Sequence, residues 1–219
     1  MTRLKVLNSY VDNLTMSQTI EKVEQIIQKK IPTQHVVINA NKINLMGKDS
    51  TLAAIVNSSP LINADGSSIL IASKLLGKPL VERVTGIDLF INLLNSCEEK
   101  GYRPYFFGAT QEVIAEMIRI IQTSYPKIDI AGYCNGYFEE EQSLEIVRSI
   151  NKTEADILFV AFSSPKKEYW VHHNLEELNI PFVMGVGGSF DVLAGKIKRA
   201  QKYGKKWAWN GLLDFFKNL

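Results

Sequence analysis

From residue 103 onward the chain repeats one pattern, and that pattern leaves few folds open. Short apolar runs alternate with amphipathic stretches: "RPYFFG", a helical 111–124, "KIDIAG", a helical 140–152, "DILFVAF", a helical 166–178, and "PFVMGVGG". The apolar runs are too short for core helices and read as strands. The stretches between them are long enough to carry the chain from one strand to a parallel neighbour. The expected class is α/β, with a Rossmann-like parallel sheet in the C-terminal half (103–202). A smaller mixed α/β N-terminal half (1–102) packs with it, and 203–219 reads as an amphipathic basic C-terminal helix.

The N-terminal half is less regular. Residues 15–30 read as a helix opened by a Thr15/Gln18 capping box, with Ile20, Val23, Ile26 and Ile27 on one face. "HVVI" (35–38) reads as a short buried strand. Helical patterns follow at 41–48 and 51–57, then the strand-like "PLIN". "SILIASKLLG" and "IDLFINLLNSCEEKG" read as helices stopped by Gly77 and Gly101. Between strand and helix lies "LINADGSSI", where Asp65 and Gly66 have the chemistry of a turn.

Apolar residues make up 46% of the chain, enough for a sizeable core without staples. Its two cysteines, Cys97 and Cys134, show no metal or redox spacing, and a disulfide framework is not expected. No cleavable leader and no membrane span are expected either. Charge is unevenly placed. From Lys196 to the end, seven basic residues face one acidic, Asp214, so this tail carries +6 and the remainder −4. An anionic partner is implied, nucleic acid or an anionic membrane. In the tail, Trp209, Leu212, Leu213 and Phe216 share one helical face beside lysines. That arrangement suits a helix lying in a membrane interface, and also a last core helix or a dimer contact.

In open parallel sheets, ligands bind beyond the carboxyl ends of the strands. Those ends carry "GAT" (108–110), "NGYF" (135–138), "SSPKKE" (163–168) and "GGSFD" (187–191). Pro165 suits the first position of a helix. Helix-start amides after Ser163 and Ser164, with Lys166 and Lys167 beside them, suit a phosphate or diphosphate. They equally suit an ordinary capped helix with a solvated basic turn. Gly187 and Gly188 permit close approach of backbone or ligand. Gly108 belongs to no dinucleotide fingerprint. Tyr137 and Phe138 can stack on a base or fill core. His172 and His173 read as surface residues, since nothing at metal spacing accompanies them. No Asp-x-Asp, G-x-S-x-G or P-loop occurs.

Taken in order, "NADG", "ERVTGIDL", "NGYF", "ADILFVAFSSPKKEYW" and "GVGGSFDVLAGKIKRAQK" resemble the WecG/TagA/CpsF family of bacterial glycosyltransferases. The resemblance runs from about Asn39 to Lys202. It implies inverting transfer of a sugar, N-acetylmannosamine or a related hexose, from a UDP-sugar to a polyprenyl-diphosphate-linked sugar. Such transfer occurs at the cytoplasmic membrane face, in teichoic acid, common-antigen or capsule synthesis. It implies no metal and no other cofactor, an anionic membrane surface rather than nucleic acid as partner, and allows a homo-oligomer.

Carried over by residue, the resemblance makes Asp65 the base and places Arg83 near the diphosphate. It adds Asn39 at the first strand end and Thr85 beyond Arg83. Substrate contacts are expected from Gly108, Gly136, Tyr137 and Phe138, from Ser164, Pro165, Lys166, Lys167 and Glu168, and from Gly187, Gly188 and Asp191. Val37 stands where family members usually carry Thr, and Lys167 where they carry Gln. Many members continue into a longer Arg-rich C-terminal segment. The alternative readings are a non-catalytic nucleotide-binding regulatory protein and a nucleotide-sugar epimerase.

Overall fold

The computed structural model describes residues 2–196. The expected basic helix at 203–219, and residues 197–202 of the second half, lie outside the described residues. The elements run β1 (Arg3–Val6), β2 (Ser9–Asp12), α1 (Met16–Lys29), β3 (Thr33–Ile38), α2 (Ala40–Met46), α3 (Ser50–Ser58), β4 (Leu61–Ala64) and α4 (Ser67–Leu75). They continue α5 (Gly86–Lys100), β5 (Pro104–Gly108), α6 (Gln111–Ser124), β6 (Gly132–Cys134), α7 (Ser143–Asn151), β7 (Ile157–Ala161), α8 (Lys166–Asn174), β8 (Phe182–Gly185) and α9 (Ser189–Leu193).

Six strands form one parallel sheet in the order β4-β3-β8-β7-β5-β6. The sheet is continuous across the midpoint of the chain. β3, from the N-terminal half, pairs with β8, from the C-terminal half, through Thr33–Phe182 and Gln34–Val183. Helices cover both faces, so the central strands are apolar on both sides. Along β7, Ile157, Phe159 and Ala161 face a core built by α1, α5, α6 and α9, while Leu158 and Val160 face α7 and α8. Phe90 of α5 centres the first core, its ring meeting Phe106, Phe159 and Phe190.

Three expectations are corrected. "KIDIAG" is not a strand. The chain runs irregularly through it and pairs with β5 only over Gly132–Cys134, because Tyr125, Ile128 and Ile130 pack back onto the α5–α6 core. The helix expected at 166–178 ends at Asn174, and the one at 140–152 is a 3-10 turn (Glu140–Gln142) leading into α7. The antiparallel hairpin β1–β2 was not expected. Its Asp12 accepts from the Ile62 amide of edge strand β4 at 2.8 Å and pairs with Arg3, which blunts that edge.

Candidate active site at the carboxyl edge of the sheet

All the strand ends singled out in the sequence lie on one edge, in the order Asp65 (β4), Asn39 (β3), Gly187 (β8), Ser163 (β7), Gly108 (β5) and Gly136 (β6). Strands about 4.8 Å apart put roughly 15 Å between the first and fourth of these. At β5 and β7 the connections leave in opposite directions, β5 to β6 and β7 to β8. That is a topological switch point, where a crevice opens in doubly wound sheets.

A groove of about 520 Å³ lies there, lined among others by Ala109, Gly136, Tyr137, Phe138, Phe162 and Lys166. Two glycines shape it. A Cβ at Gly108, whose φ is +129°, would sit 2.7 Å from the Ala161 carbonyl oxygen, and one at Gly136 would meet the Phe162 ring at 2.7 Å. Tyr137 is 75% exposed on the groove, whereas Phe138 packs on Phe107 and Phe162. The two lysines that open α8 part company. Exposed Lys166 reaches over the rings of Phe138 and Phe162, its Nζ 5.1 Å from each centroid.

Lys167 turns inward, its Nζ donating to Ser164 Oγ at 2.5 Å and lying 3.2 Å from Glu168 Oε1. The basic turn is therefore only half solvated. Its stem passes so close to Gly185 that a Cβ there would lie 2.7 Å from Lys167 Cδ. Glu168 is buried, and Oε1 also receives Lys42 Nζ of α2 and Ser164 Oγ. Among the described residues, Glu168 Oε2 has no hydrogen-bond partner. Burial raises the Glu168 carboxyl, but Lys42 and Lys167 outweigh it and hold it below the usual range. Burial also lowers Lys42, to about 8, against the pull of Glu168. Pro165 stands at the N-cap of α8 rather than at its first helical position, with no side-chain cap bond, and Lys167 N bonds the Ser163 carbonyl.

Asp65 occupies the other end of the edge. Its amide bonds the Ile38 carbonyl at 2.8 Å, fixing it one residue beyond the β3–β4 ladder. Gly66 has φ 162°, extended backbone rather than the left-handed turn that Asp-Gly suggests, and it opens α4 directly. The Asp65 side chain is partly buried. Burial raises its pKa above the ordinary aspartate value, and the Gly86 backbone amide and the charge of Arg83 only partly offset this. A Cβ at Gly86 would lie 3.6 Å from both Asp65 Oδ2 and Val37 Cγ2, so valine methyls help form the wall beside the carboxylate. Among the described residues, Arg83 has no hydrogen bond or ion pair of its own.

Asn39 and Thr85 act as helix caps. Asn39 Oδ1 accepts from Lys42 N at 2.9 Å, and Thr85 Oγ1 accepts from Asp88 N at 3.1 Å while donating to Asp88 Oδ2. Gly187, at φ +54°, turns the loop after β8, Gly188 faces open space, and Asp191 lies partly exposed on α9. His172 and His173 are exposed, as read from the sequence. Among the described residues no three His, Cys, Asp or Glu groups converge as a metal site would require.

Neither Lys42 nor the buried His35–Asn63 pair, whose Nε2 and Oδ1 are 2.9 Å apart, was singled out from sequence. Lys42 occupies an ordinary helical position, and its carboxylate partner is supplied 126 residues later.

The profile of the glycosyl transferase WecG/TagA/CpsF family matches residues 4–214. The chain is 38% identical over 150 residues to an N-acetylglucosaminyldiphosphoundecaprenol N-acetyl-beta-D-mannosaminyltransferase of Bacillus spizizenii, covering 68% of this chain and 58% of that relative. It is 29% identical over 219 residues to a protein of the same name from Staphylococcus aureus, covering 97% of this chain and 85% of that one. The matched segment thus spans less than two thirds of the Bacillus relative. A match over nearly the whole chain, together with the parallel sheet, places the protein: it belongs to the WecG/TagA/CpsF family of glycosyltransferases.

Proposed function

We propose that the protein transfers N-acetylmannosamine, or a related hexose, from a UDP-sugar to a polyprenyl-diphosphate-linked sugar at the membrane face, with inversion and without a metal. The observation that carries this is the partly buried Asp65 carboxylate at one end of an edge whose other end is an aromatic, cationic groove. The relatives' name supplies the sugar and the lipid diphosphate.

In this reading the nucleobase and ribose lie in the groove against Tyr137 and Phe138. The diphosphate crosses the β7 and β8 loops past Ser164 and Gly187, and the sugar reaches Asp65. The acceptor oxygen bonds the anomeric carbon as the bond from that carbon to the diphosphate oxygen breaks. The acceptor's proton passes to Asp65, whose raised pKa suits a base that must also hold the proton. The charge gathering on the UDP leaving group is met by Arg83, Lys166 and loop amides, which perform electrostatically what a metal would otherwise do.

The test supplies UDP-N-acetylmannosamine and a polyprenyl-diphosphate N-acetylglucosamine, with and without EDTA. UDP and a lipid-linked disaccharide should form in equal amounts in both arms. No acceptor-dependent UDP release across a panel of UDP-sugars would remove the transferase reading. Turnover lost to EDTA and restored by Mg²⁺ or Mn²⁺ would remove the metal-free part.

A further inference from the structure

Residues 66–86 leave the sheet edge at Asp65 and return to it at Gly86, whose amide bonds the Asp65 carboxylate. Along α4, Ile69 and Ser73 are buried and anchor the inner face. The outer face is apolar and cationic. Ile71 and Leu75, one helical turn apart, are 60% and 83% exposed, with Lys74 exposed beside them. The helix stops cleanly: Gly77 at φ +69° lets its own amide bond the Lys74 carbonyl and the Lys78 amide bond that of Ser73. Exposed Leu76, Lys78 and Val81 follow. Of the ten large apolar side chains exposed among the described residues, four lie between Ile71 and Val81, so this is a patch and not scatter.

We propose that this outer face of α4 and the turn after it is a membrane-docking surface, with Ile71, Leu75, Leu76 and Val81 entering the interface of an anionic bilayer and Lys74 and Lys78 meeting its headgroups. Exposed isoleucine and leucine supply apolar area for the headgroup–acyl boundary, and lysines among them can keep their ammonium groups at headgroup level. No acidic residue lies between Gly66 and Val81, and the flanking Glu82 is engaged by the Met16 amide of α1 at 3.0 Å, so the segment turns the positive charges of Lys74 and Lys78 toward anionic lipid. A second copy fits less well, because a two-fold contact through this face would bring the same lysines together while the nearest carboxylate, Glu82, is engaged by the Met16 amide. The inference rests on the transferase reading in one respect. The patch is bracketed by the proposed base, Asp65, and by Arg83, so docking here would bring a lipid diphosphate to the catalytic end of the edge.

The experiment partitions the full chain between buffer and vesicles of equal parts phosphatidylglycerol and phosphatidylethanolamine, or of phosphatidylcholine alone. No sugar substrate is present, so the result does not depend on the transferase reading. Two double variants are compared with the parent, Ile71→Ser with Leu75→Ser and Lys74→Glu with Lys78→Glu. Both should partition about tenfold or more weakly onto anionic vesicles. Melting temperature and UDP release with a water-soluble acceptor should be unchanged. Anionic partitioning equal to the parent's in both variants would overturn the proposal. So would a fall in the sedimenting mass of the serine variant with vesicle binding unchanged, which would assign the face to a second copy. Partitioning that depends on the patch in a protein that releases no UDP would keep the surface and remove the transferase.

Discussion

Lys42 and Glu168, 126 residues apart in the chain, form an ion pair beneath the carboxyl edge of the sheet, their side chains 4% and 2% exposed. The pair ties α2, whose N-cap is Asn39, to α8, whose first turn holds Ser164 against the same carboxylate oxygen. The strand between them, β8, is bridged by the Lys167 stem packed on Gly185. Asn39, expected near the reacting sugar, and Ser164, expected along the diphosphate, are thereby joined through one buried ion pair.

Breaking such a pair on one side leaves a buried charge unanswered, at a cost of about 3–5 kcal/mol. Glu168→Gln should lower unfolding free energy by about that amount, since two lysines then share a site with no carboxylate. Urea denaturation of parent and variant measures it. Replacing both ends, Lys42→Met with Glu168→Leu, should recover much of the loss. A single variant within about 1 kcal/mol of the parent would show that the pair does not matter to stability.

His35 gives the protein an acid-sensitive core. It is buried and held neutral, its pKa pushed down to about 4 chiefly by burial, against the bond to Asn63. The unfolded chain binds this proton below about pH 6.5 and the folded chain only near pH 4. Stability therefore falls as pH drops through that window, by on the order of 3 kcal/mol in all. Denaturant midpoints at pH 7 and pH 5 should separate more in the parent than in His35→Gln. Equal separations would mean His35 does not couple to folding.

Asp65→Asn keeps an oxygen for the Gly86 amide but cannot take a proton. It should lower kcat by roughly 10²–10⁴-fold with melting temperature and donor affinity nearly unchanged. In the parent, the acid limb of kcat/KM should lie above the ordinary aspartate range, because burial raises Asp65. Arg83→Met removes a cation that favours the carboxylate, so the limb should move further up. A limb indifferent to Arg83 would separate the two residues, and near-normal turnover by Asp65→Asn would return Asp65 to a structural role.

The paired lysines should respond differently. Lys166→Ala takes away an exposed cation of the groove and should weaken UDP binding several-fold with no change in melting temperature. Lys167→Gln disturbs the buried Ser164–Glu168 contacts and should both lower the melting temperature and alter affinity or preference across a panel of UDP-sugars. Calorimetric binding and thermal melts on the same preparations check this, and matching behaviour of the two variants would count against it.

Much of the architecture was legible because it rests on local signals. Apolar runs broken by capped helices announced β3, β4, β5, β7 and β8 and the helices between them, and the carboxyl-edge rule gathered Gly108, Gly136, Ser164 and Gly187 on one side. Asn39 and Asp65 were singled out as site residues only by the family resemblance, and the β3–β8 pairing brings them to the same edge. β6 and the β1–β2 hairpin escaped that reading. The first lies on a sheet edge with a short pairing, the second is held by Asp12 reaching β4, and neither has a strong pattern of its own. Within the site, sequence order showed Lys166 and Lys167 as one basic turn. Helical geometry sends neighbouring side chains in different directions, so one enters the groove and the other the core. Likewise, nothing local marks Lys42, since a buried lysine is defined by its carboxylate, and only the stacking of β3 beside β8 beside β7 brings Glu168 to it. The chain by itself determined which residues end each strand. The tertiary structure alone decided which of them are dry, which are charged and which can touch a substrate, because desolvation and ion pairing depend on neighbours distant in sequence.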